Sequence, residues 1–139
     1  MTGAILHSQL FRPFDARGYD ALFASNGWTN SWTGGVYDFD HYHTTTHEVL
    51  GCYAGEALIR FGGPRGEDVR LRAGDVVVIP AGLAHRCITA SPDFAVVGAY
   101  PDGAEPDLKR GTGEAVTLPR PSADPALGEG RGFAAGASA

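Results

Sequence analysis

Three histidines and one glutamate have the residue types and spacing of a metal site. His41 and His43 lie two residues apart, Glu48 follows shortly after, and His85 comes later in the chain. Alternate side chains of a β-strand share a face, so His41 and His43 are expected to point the same way. Neutral imidazole and carboxylate ligands suit a borderline divalent cation, and four of them leave one or two coordination positions open. A single histidine would more simply be a hydrogen-bonded polar residue, but four candidates at this spacing favour a metal site.

The register of the strand around Glu48 decides between two adjacent residues. If Glu48 faces inward, as Leu50 and Cys52 would on the same strand face, then His47 faces outward. The alternative register would make His47 the ligand and expel Glu48. We expect Glu48 to be the ligand, which leaves His47 with only a surface or subunit-contact role.

The hydrophobic pattern predicts one short helix and about eight short strands. Asp15 can cap the helix, and Asn26 and Gly27 can end it. Trp28 and Trp32 then follow in a turn-rich link, where we expect them to cover the core. Strands are predicted within 4–14 as an edge strand, and at 36–43, 47–53, 57–61, 68–71, 76–79, 85–89 and 94–100.

Composition indicates one globular domain. The chain has 139 residues, of which 43% are hydrophobic and 19% charged, and its 20 glycines and 9 prolines favour short strands between turns. We expect a single domain over 1–139, with a barrel core at about 35–100. Residues 101–139 hold 5 of the prolines, which predicts an extended tail, disordered from 132 to 139.

The charge pattern argues against several classes of partner. The formal charge is −5, and no run of Lys or Arg offers a surface for nucleic acid or an anionic membrane. No stretch has the length of a membrane span, and no secretory signal is visible, so we expect a cytoplasmic protein. In that compartment Cys52 and Cys87 are expected to be reduced thiols. Exposed barrel edges and the tail predict a homodimer.

Two runs of the sequence resemble the two motifs of the cupin superfamily. The first motif is matched at every fixed position by Gly35, His41, His43, Glu48 and Gly55. The second motif is matched at all positions but its last by Gly74, Pro80, Gly82 and His85. The last place, normally Asn, is Thr89 here, whose hydroxyl could serve similarly. More closely, residues 41–51 and 74–82 resemble a subfamily of small bacterial cupins of the YjlB type.

This resemblance implies an all-β fold, the cupin double-stranded β-helix or jelly-roll barrel. It also implies a divalent transition metal (Fe, Mn, Ni or Zn) held by His41, His43, Glu48 and His85. Oxygenation, isomerisation and decarboxylation all occur in cupins, and we expect oxygenase- or isomerase-like chemistry on a small molecule. The alternative is a non-catalytic cupin that binds or senses a small molecule. A metal that only staples the barrel is the weakest interpretation, because a core of this size needs no staple.

Five further residues are expected to line the barrel near the metal: Tyr37, Phe39, Leu50, Cys52 and Cys87. Plain core packing is the simpler interpretation for each except Tyr37, whose hydroxyl needs a partner if it is buried. Tyr37 is therefore the candidate catalytic residue, with Cys87 as a second acid/base candidate. The small number of unassigned carboxylates argues against hydrolysis driven by a dedicated general base.

Overall fold

A computed structural model of the chain describes residues 3–9 and 14–135. It has one α-helix, α1 (Ala16–Ser25), and a 3-10 turn at Gly132–Ala134. The strands are β1 (Ile5–His7), β2 (Trp28–Gly34), β3 (His41–Tyr42), β4 (Glu48–Ala54), β5 (Glu56–Phe61), β6 (Glu67–Arg72), β7 (Val76–Ile79), β8 (His85–Ala90), β9 (Ala95–Pro101), β10 (Lys109–Arg110), β11 (Ala123–Asp124) and β12 (Gly128–Glu129).

Two five-stranded antiparallel sheets form the body of the protein. The first has the strand order β1-β7-β4-β9-β2, and the second has the order β10-β3-β8-β5-β6. Buried side chains from both sheets form one apolar cluster: Leu50, Cys52, Ala57, Ile59, Phe61, Leu71, Val77, Ile79 and Val96. Two sheets packed face to face over such an interior are the jelly-roll arrangement. The predicted all-β fold class is confirmed.

The first sheet is covered on its outer face as well. A second buried cluster joins that face to α1 and the C-terminal tail through Tyr19, Phe23, Trp28, Val49, Val76, Val78, Val97, Ala99, Ala126 and Phe133. Gly51 lets the helix come close, because a Cβ there would lie 2.7 Å from Cζ of Phe23. Burial on both faces explains why β7 is an unbroken run of apolar residues, all of them buried.

The predicted helix is confirmed at both ends. Asp15 is its N-cap, and the Asp15 carboxylate accepts a hydrogen bond from the backbone N–H of Gly18 at 2.8 Å. Asn26 is the C-cap, and the buried residues Tyr19 and Phe23 form the face that packs on the sheet. Within the described part of the chain, no helix combines the length and apolar character that a membrane crossing requires.

The segment from Trp28 to Gly34 is a strand and not the predicted link. It pairs with β9 as the edge of the first sheet, so the barrel begins before the predicted start at residue 35. Its polar composition suits an edge strand, and an irregularity between Thr29 and Trp32 breaks the two-residue period that would have revealed it. Trp28 is buried in the core, as expected.

The predicted strand at 36–43 is much shorter in the structure. Only His41 and Tyr42 are in strand conformation, and His41 pairs with His85 of β8. Tyr37 accepts a backbone hydrogen bond from Cys87, but residues 36–40 form no strand ladder. The two-residue alternation of side chains that we predicted for 36–43 therefore does not extend along it.

The tail folds back on its own barrel. Nε1 of Trp28 donates a hydrogen bond to the carbonyl of Ala123 at 2.9 Å. The disorder predicted from residue 132 is wrong for 132–135. Phe133 of the tail is buried at 1% exposure against the first sheet. Residues 136–139 lie outside the described residues, as do 10–13 of the predicted edge strand, whose residues 5–7 form β1.

Candidate metal centre

The four candidate ligands are brought together from both sheets. Glu48 opens β4 of the first sheet, His41 and His85 lie in β3 and β8 of the second, and His43 follows directly after β3. His41, Glu48 and His85 are buried, and the side chain of His43 is 11% exposed. Direct pairing of His41 with His85 places two imidazoles side by side, with ring centroids 4.1 Å apart.

Three of the four residues form a compact group. Oε1 of Glu48 lies 3.4 Å from Nε2 of His43 and 3.4 Å from Nε2 of His85. The ligand atoms of these three residues are all within 4.8 Å of one another. His41 is not in this group, although its ring centroid lies 4.1 Å from that of His85 and 6.1 Å from that of His43.

The hydrogen bonds of the three imidazoles determine which ring nitrogen carries the proton. Nδ1 of His41 lies 2.9 Å from the carbonyl of Phe39, and Nδ1 of His85 lies 3.1 Å from the carbonyl of Leu83. Nδ1 of His43 similarly meets the carbonyl of Asp107. A carbonyl only accepts, so each Nδ1 must donate, and in the neutral ring Nε2 is then an unprotonated lone pair.

When both rings are neutral, the Nε2 atoms of His43 and His85 therefore face a carboxylate oxygen with no donor between them. Burial would raise the pKa of Glu48, but the hydrogen bonds that His43 and His85 donate when they are protonated outweigh it and lower the pKa to about 2. Glu48 is thus ionised at neutral pH. Two lone pairs converging on an anion need a proton or a cation between them. The two 3.4 Å separations are longer than ordinary hydrogen bonds and suit ligands that share one divalent ion.

The pKa values of His41 and His43 are shifted in opposite directions. Burial, assisted by the neighbouring His85, lowers the pKa of His41 to about 4, so His41 is a neutral imidazole at neutral pH. For His43, burial opposes protonation, but the hydrogen bond to Glu48 and its charge prevail and raise the pKa. Without a metal, a proton on His43 would place a positive charge beside Glu48. A bound divalent cation would replace that proton.

Tyr100 binds the second carboxylate oxygen of Glu48 and is itself held by Trp32, a role that the sequence did not reveal. The Tyr100 hydroxyl donates to Oε2 of Glu48 at 3.0 Å, and Nε1 of Trp32 donates to the Tyr100 hydroxyl at 2.7 Å. Burial, and then the charge of Glu48, raise the pKa of Tyr100 well above its ordinary value. The only available signal was that a buried tyrosine needs a hydrogen-bond partner, which does not name the partner.

Asp107 is a second residue that the sequence did not reveal. Its carboxylate accepts hydrogen bonds from the backbone N–H groups of Thr44 and Thr45, at 2.6 and 3.2 Å, and from both threonine hydroxyls. Burial would raise the pKa of Asp107, but these hydrogen bonds lower it to about 2. The tail thereby holds the turn that follows His43.

His47 lies away from the compact group, but the expected surface role is wrong. It is only 7% exposed, because the tail covers the outer face of the first sheet at this point. Nδ1 of His47 accepts from the backbone N–H of Ala81 at 2.9 Å, and Nε2 donates to the carbonyl of Pro119 at 3.1 Å. The ring also lies 4.9 Å from that of Phe133. His47 thus joins β4 to the tail.

A cavity of about 400 Å³ opens onto the candidate ligands. Its lining comprises Trp32, Thr33, Gly34, Gly35, Val36, Tyr37, His41, His43, Glu48, Leu50, His85, Tyr100, Pro106, Asp107 and Leu108. Tyr37 and Leu50 line it as predicted, but Tyr37 is 55% exposed, and its ring stacks on Phe39.

Three other residues predicted near the metal do not line this cavity. Cys52 is in the apolar cluster between the sheets, Cys87 packs against that cluster, and Phe39 lies beneath Tyr37. Thr89 is exposed and also absent from the lining. Cys52 and Cys87 are free thiols, as expected. The two-residue period placed too many side chains at the site, because β4 and β8, of seven and six residues, extend past it.

With this geometry established, the chain can be compared with known proteins. Residues 30–97 match the Cupin domain family, Cupin_2. This segment of the chain is a cupin domain. The chain is 48% identical over 92 residues to the uncharacterized protein YjlB of Bacillus subtilis (strain 168), and thereby resembles the YjlB type of small bacterial cupin. The match covers 66% of this chain and 56% of that relative, so the chain spans little more than half of the relative's length.

Solved structures of low sequence identity are also similar. An uncharacterized conserved protein with a double-stranded β-helix domain from Klebsiella pneumoniae is 20% identical with a TM-score of 0.47, over 61% of this chain and 72% of that one. WlaRA, a TDP-fucose-3,4-ketoisomerase from Campylobacter jejuni, is 15% identical with a TM-score of 0.43, over 52% of this chain and 59% of that one.

Tyr100 and Asp107 lie beyond the residues matched by the family.

Proposed function

We propose that the chain is a metal-dependent protein that acts on a small molecule. His41, His43, Glu48 and His85 would hold one divalent ion, of Fe, Mn, Ni or Zn. The observation that carries this proposal is the meeting of Oε1 of Glu48 with two Nε2 atoms whose Nδ1 partners are backbone carbonyls. Such a donor set needs a proton or a cation between its members, and three ligand atoms within 4.8 Å of one another suit a divalent ion.

Oxygenase- or isomerase-like chemistry fits the residues around this centre. When bound, the metal supplies Lewis acidity or a position for dioxygen. The chain itself orients Glu48 through Tyr100, encloses the reacting groups in the cavity, and presents the Tyr37 hydroxyl at the mouth as the candidate proton donor or acceptor. Tyr37 is at the edge of the cavity, so its proton could exchange with solvent.

One observation favours the alternative, a non-catalytic protein that binds or senses a small molecule. The Tyr100 hydroxyl already donates to Glu48, and the pKa of Tyr100 is raised, so this group stays protonated at neutral pH. Burial likewise raises the pKa of Cys87, which lies outside the cavity lining. Tyr37 is then the remaining acid/base candidate from the sequence, and a site with so few proton carriers could serve for binding alone.

Metal content tests the shared part of both functions. We expect about one divalent ion per chain in the purified protein, as for a single His/carboxylate site. His43→Ala, His85→Ala and Glu48→Gln should each lose most of it, and His41→Ala should lose less, because His41 lies outside the compact group. His7→Ala is the control, since His7 bonds to Asp124 of the tail. Equal metal in all five variants would exclude the proposed site.

Turnover separates the two functions. Iron-loaded protein that consumes oxygen, or interconverts isomers, with any small-molecule substrate would support an enzyme. Saturable binding with no product would support the binding protein.

The homodimer and the cytoplasmic location stay predictions. Light scattering of the purified chain would test the homodimer.

A further inference from the structure

We propose that the cavity selects ligands with an oxygen-donor head for the metal and an uncharged, largely apolar body. This inference rests on the proposed metal centre and adds to it the class of ligand. It follows from three properties of the cavity wall. The wall lacks cationic side chains in the described part of the chain, several of its polar groups are already hydrogen-bonded within the protein, and apolar side chains are exposed at its mouth.

The first property is the charge of the wall. Among the described residues that line the cavity there is no Lys or Arg. Arg110 lies close in the chain to the lining residue Leu108, but its guanidinium stacks over the ring of Phe39 at 4.0 Å. An anionic group on the body of a ligand would thus lose water and meet no cationic side chain among these lining residues, which is costly in an enclosed site.

The second property is that several polar groups of the wall are already hydrogen-bonded within the protein. The indole N–H of Trp32 donates to Tyr100, and the hydroxyl of Tyr100 donates to Glu48. The carboxylate of Asp107 is taken up by Thr44 and Thr45. These groups shape the wall without offering hydrogen bonds to a ligand, so polar recognition is left to the metal and to groups at the mouth.

The third property is the mouth of the cavity. The described residues include three large hydrophobic side chains that are exposed: Leu6 at 39%, Tyr37 at 55% and Leu108 at 50%. Two of the three, Tyr37 and Leu108, line this cavity, and Trp32, Val36, Leu50 and Pro106 continue the apolar surface inward. Exposed apolar side chains gathered around one opening are typical of a ligand site.

A positively charged body is also disfavoured. It would lose its water against the apolar side chains that line the cavity, which is costly for an ion. The carboxylate of Asp107 is the other acidic group of the lining, and it already accepts hydrogen bonds from Thr44 and Thr45. The desolvation cost of either charge therefore favours an uncharged body.

Three compounds with the same chelating head test this inference. 4-Methylcatechol has an uncharged body, protocatechuate carries a carboxylate, and dopamine carries an ammonium group. Each is titrated calorimetrically, without oxygen, into the zinc-loaded protein, and the affinity of each for free Zn²⁺ is divided out. We expect 4-methylcatechol to bind at least about tenfold more tightly than either charged compound, because each charge would be desolvated without a partner.

A pair of variants locates the effect in the cavity. Leu108→Arg places a cation at the mouth, so we expect it to reduce the preference for 4-methylcatechol over protocatechuate by about fivefold or more. Leu6→Arg is the matched control, a similarly exposed leucine in β1 that does not line the cavity, and should leave the preference unchanged.

These experiments distinguish a wrong ligand class from a wrong metal site. If the zinc-loaded protein binds protocatechuate or dopamine as tightly as 4-methylcatechol, or binds none of the three, the ligand class is wrong while the metal site stands. If both leucine variants shift the preference equally, the cavity wall is not its source. Protein that takes up no zinc would overturn both proposals.

Discussion

The main-chain carbonyl of Asp107 accepts a hydrogen bond from Nδ1 of His43, although 64 residues separate them in the chain. The carboxylate of Asp107 also holds Thr44 and Thr45, the two residues that follow this histidine. One residue of the tail thus restrains both the ring and the backbone of a candidate ligand. Partners of this kind set the tautomer and direction of a metal-binding histidine.

Replacing Asp107 should therefore weaken metal binding. Asp107→Ala frees the Thr44–Thr45 turn, and we expect the affinity for Co²⁺ to fall by about 10- to 100-fold. Asp107→Asn should lose less, because its amide oxygen still accepts from the N–H of Thr44. The measurement is a Co²⁺ titration followed by the visible spectrum of the bound ion. Asp20→Ala, at an exposed position of α1, is the control, and an affinity equal to it in Asp107→Ala would contradict the prediction.

Tyr100→Phe tests the link between Trp32 and Glu48. The change removes one oxygen and leaves both the indole N–H and Oε2 of Glu48 without this partner. Unpaired groups of this kind each cost about 1–3 kcal/mol, so the free energy of unfolding should fall by about 2 kcal/mol or more. Urea denaturation of the metal-free protein measures it. Trp32→Phe combined with Tyr100→Phe should cost less than the sum of the two, and strict additivity would argue against the link.

Gly98 makes room for the same tryptophan. A Cβ at Gly98 would overlap the indole of Trp32, so Gly98→Ala must displace that ring and strain the Tyr100 contact. We expect a loss of about 1–3 kcal/mol in the free energy of unfolding, as for other overpacked sites, with a shifted tryptophan emission. Gly35→Ala is the matched control, because a Cβ there meets nothing within 4 Å. Similar stability of the two variants would mean that the indole adjusts freely.

Acid should weaken the attachment of the tail at Asp124. This buried carboxylate accepts from His7 and from the backbone N–H groups of Ala126, Leu127 and Phe133. Burial would raise the pKa of Asp124, but these hydrogen bonds lower it below the usual value. A carboxyl group with a depressed folded-state pKa stabilises the protein above its unfolded pKa of about 3.9, and that contribution is lost as the pH falls through the folded value.

Asp124→Asn reports this loss. At pH 7 it should lower the free energy of unfolding by about 1–3 kcal/mol, because at least one buried donor loses its acceptor. As the pH falls from about 3.9 through the lower folded-state pKa, the carboxyl of the unchanged protein loses its stabilising contribution, and the difference should shrink. Urea denaturation at several pH values, followed by Trp28 emission, measures it, with Asp20→Asn as the control. A difference that is the same at pH 7 and pH 3 would contradict the assignment.

Much of the fold could be predicted because its signals are local. Strand β7 was predicted with its observed bounds, and α1 was predicted from its capping residue Asp15 and from its end at Asn26. The strand at Trp28–Gly34 was missed because an edge strand with a polar exposed face and a bulge shows no two-residue period. Burial of Phe133 was missed because the sheet face that covers it is formed by distant strands.

The sequence by itself determined the candidate ligands and their chemistry. The residue types and spacing of His41, His43, Glu48 and His85 select these residues, because imidazoles and a carboxylate are the ligands that a divalent transition metal prefers. Only the tertiary structure decided that three of them form the compact group, and that His47 lies beneath the tail. It alone also brought Tyr100 to Glu48 and Asp107 to His43, across 52 and 64 residues. Contacts so distant depend on how the sheets and the tail pack, and no local spacing encodes them.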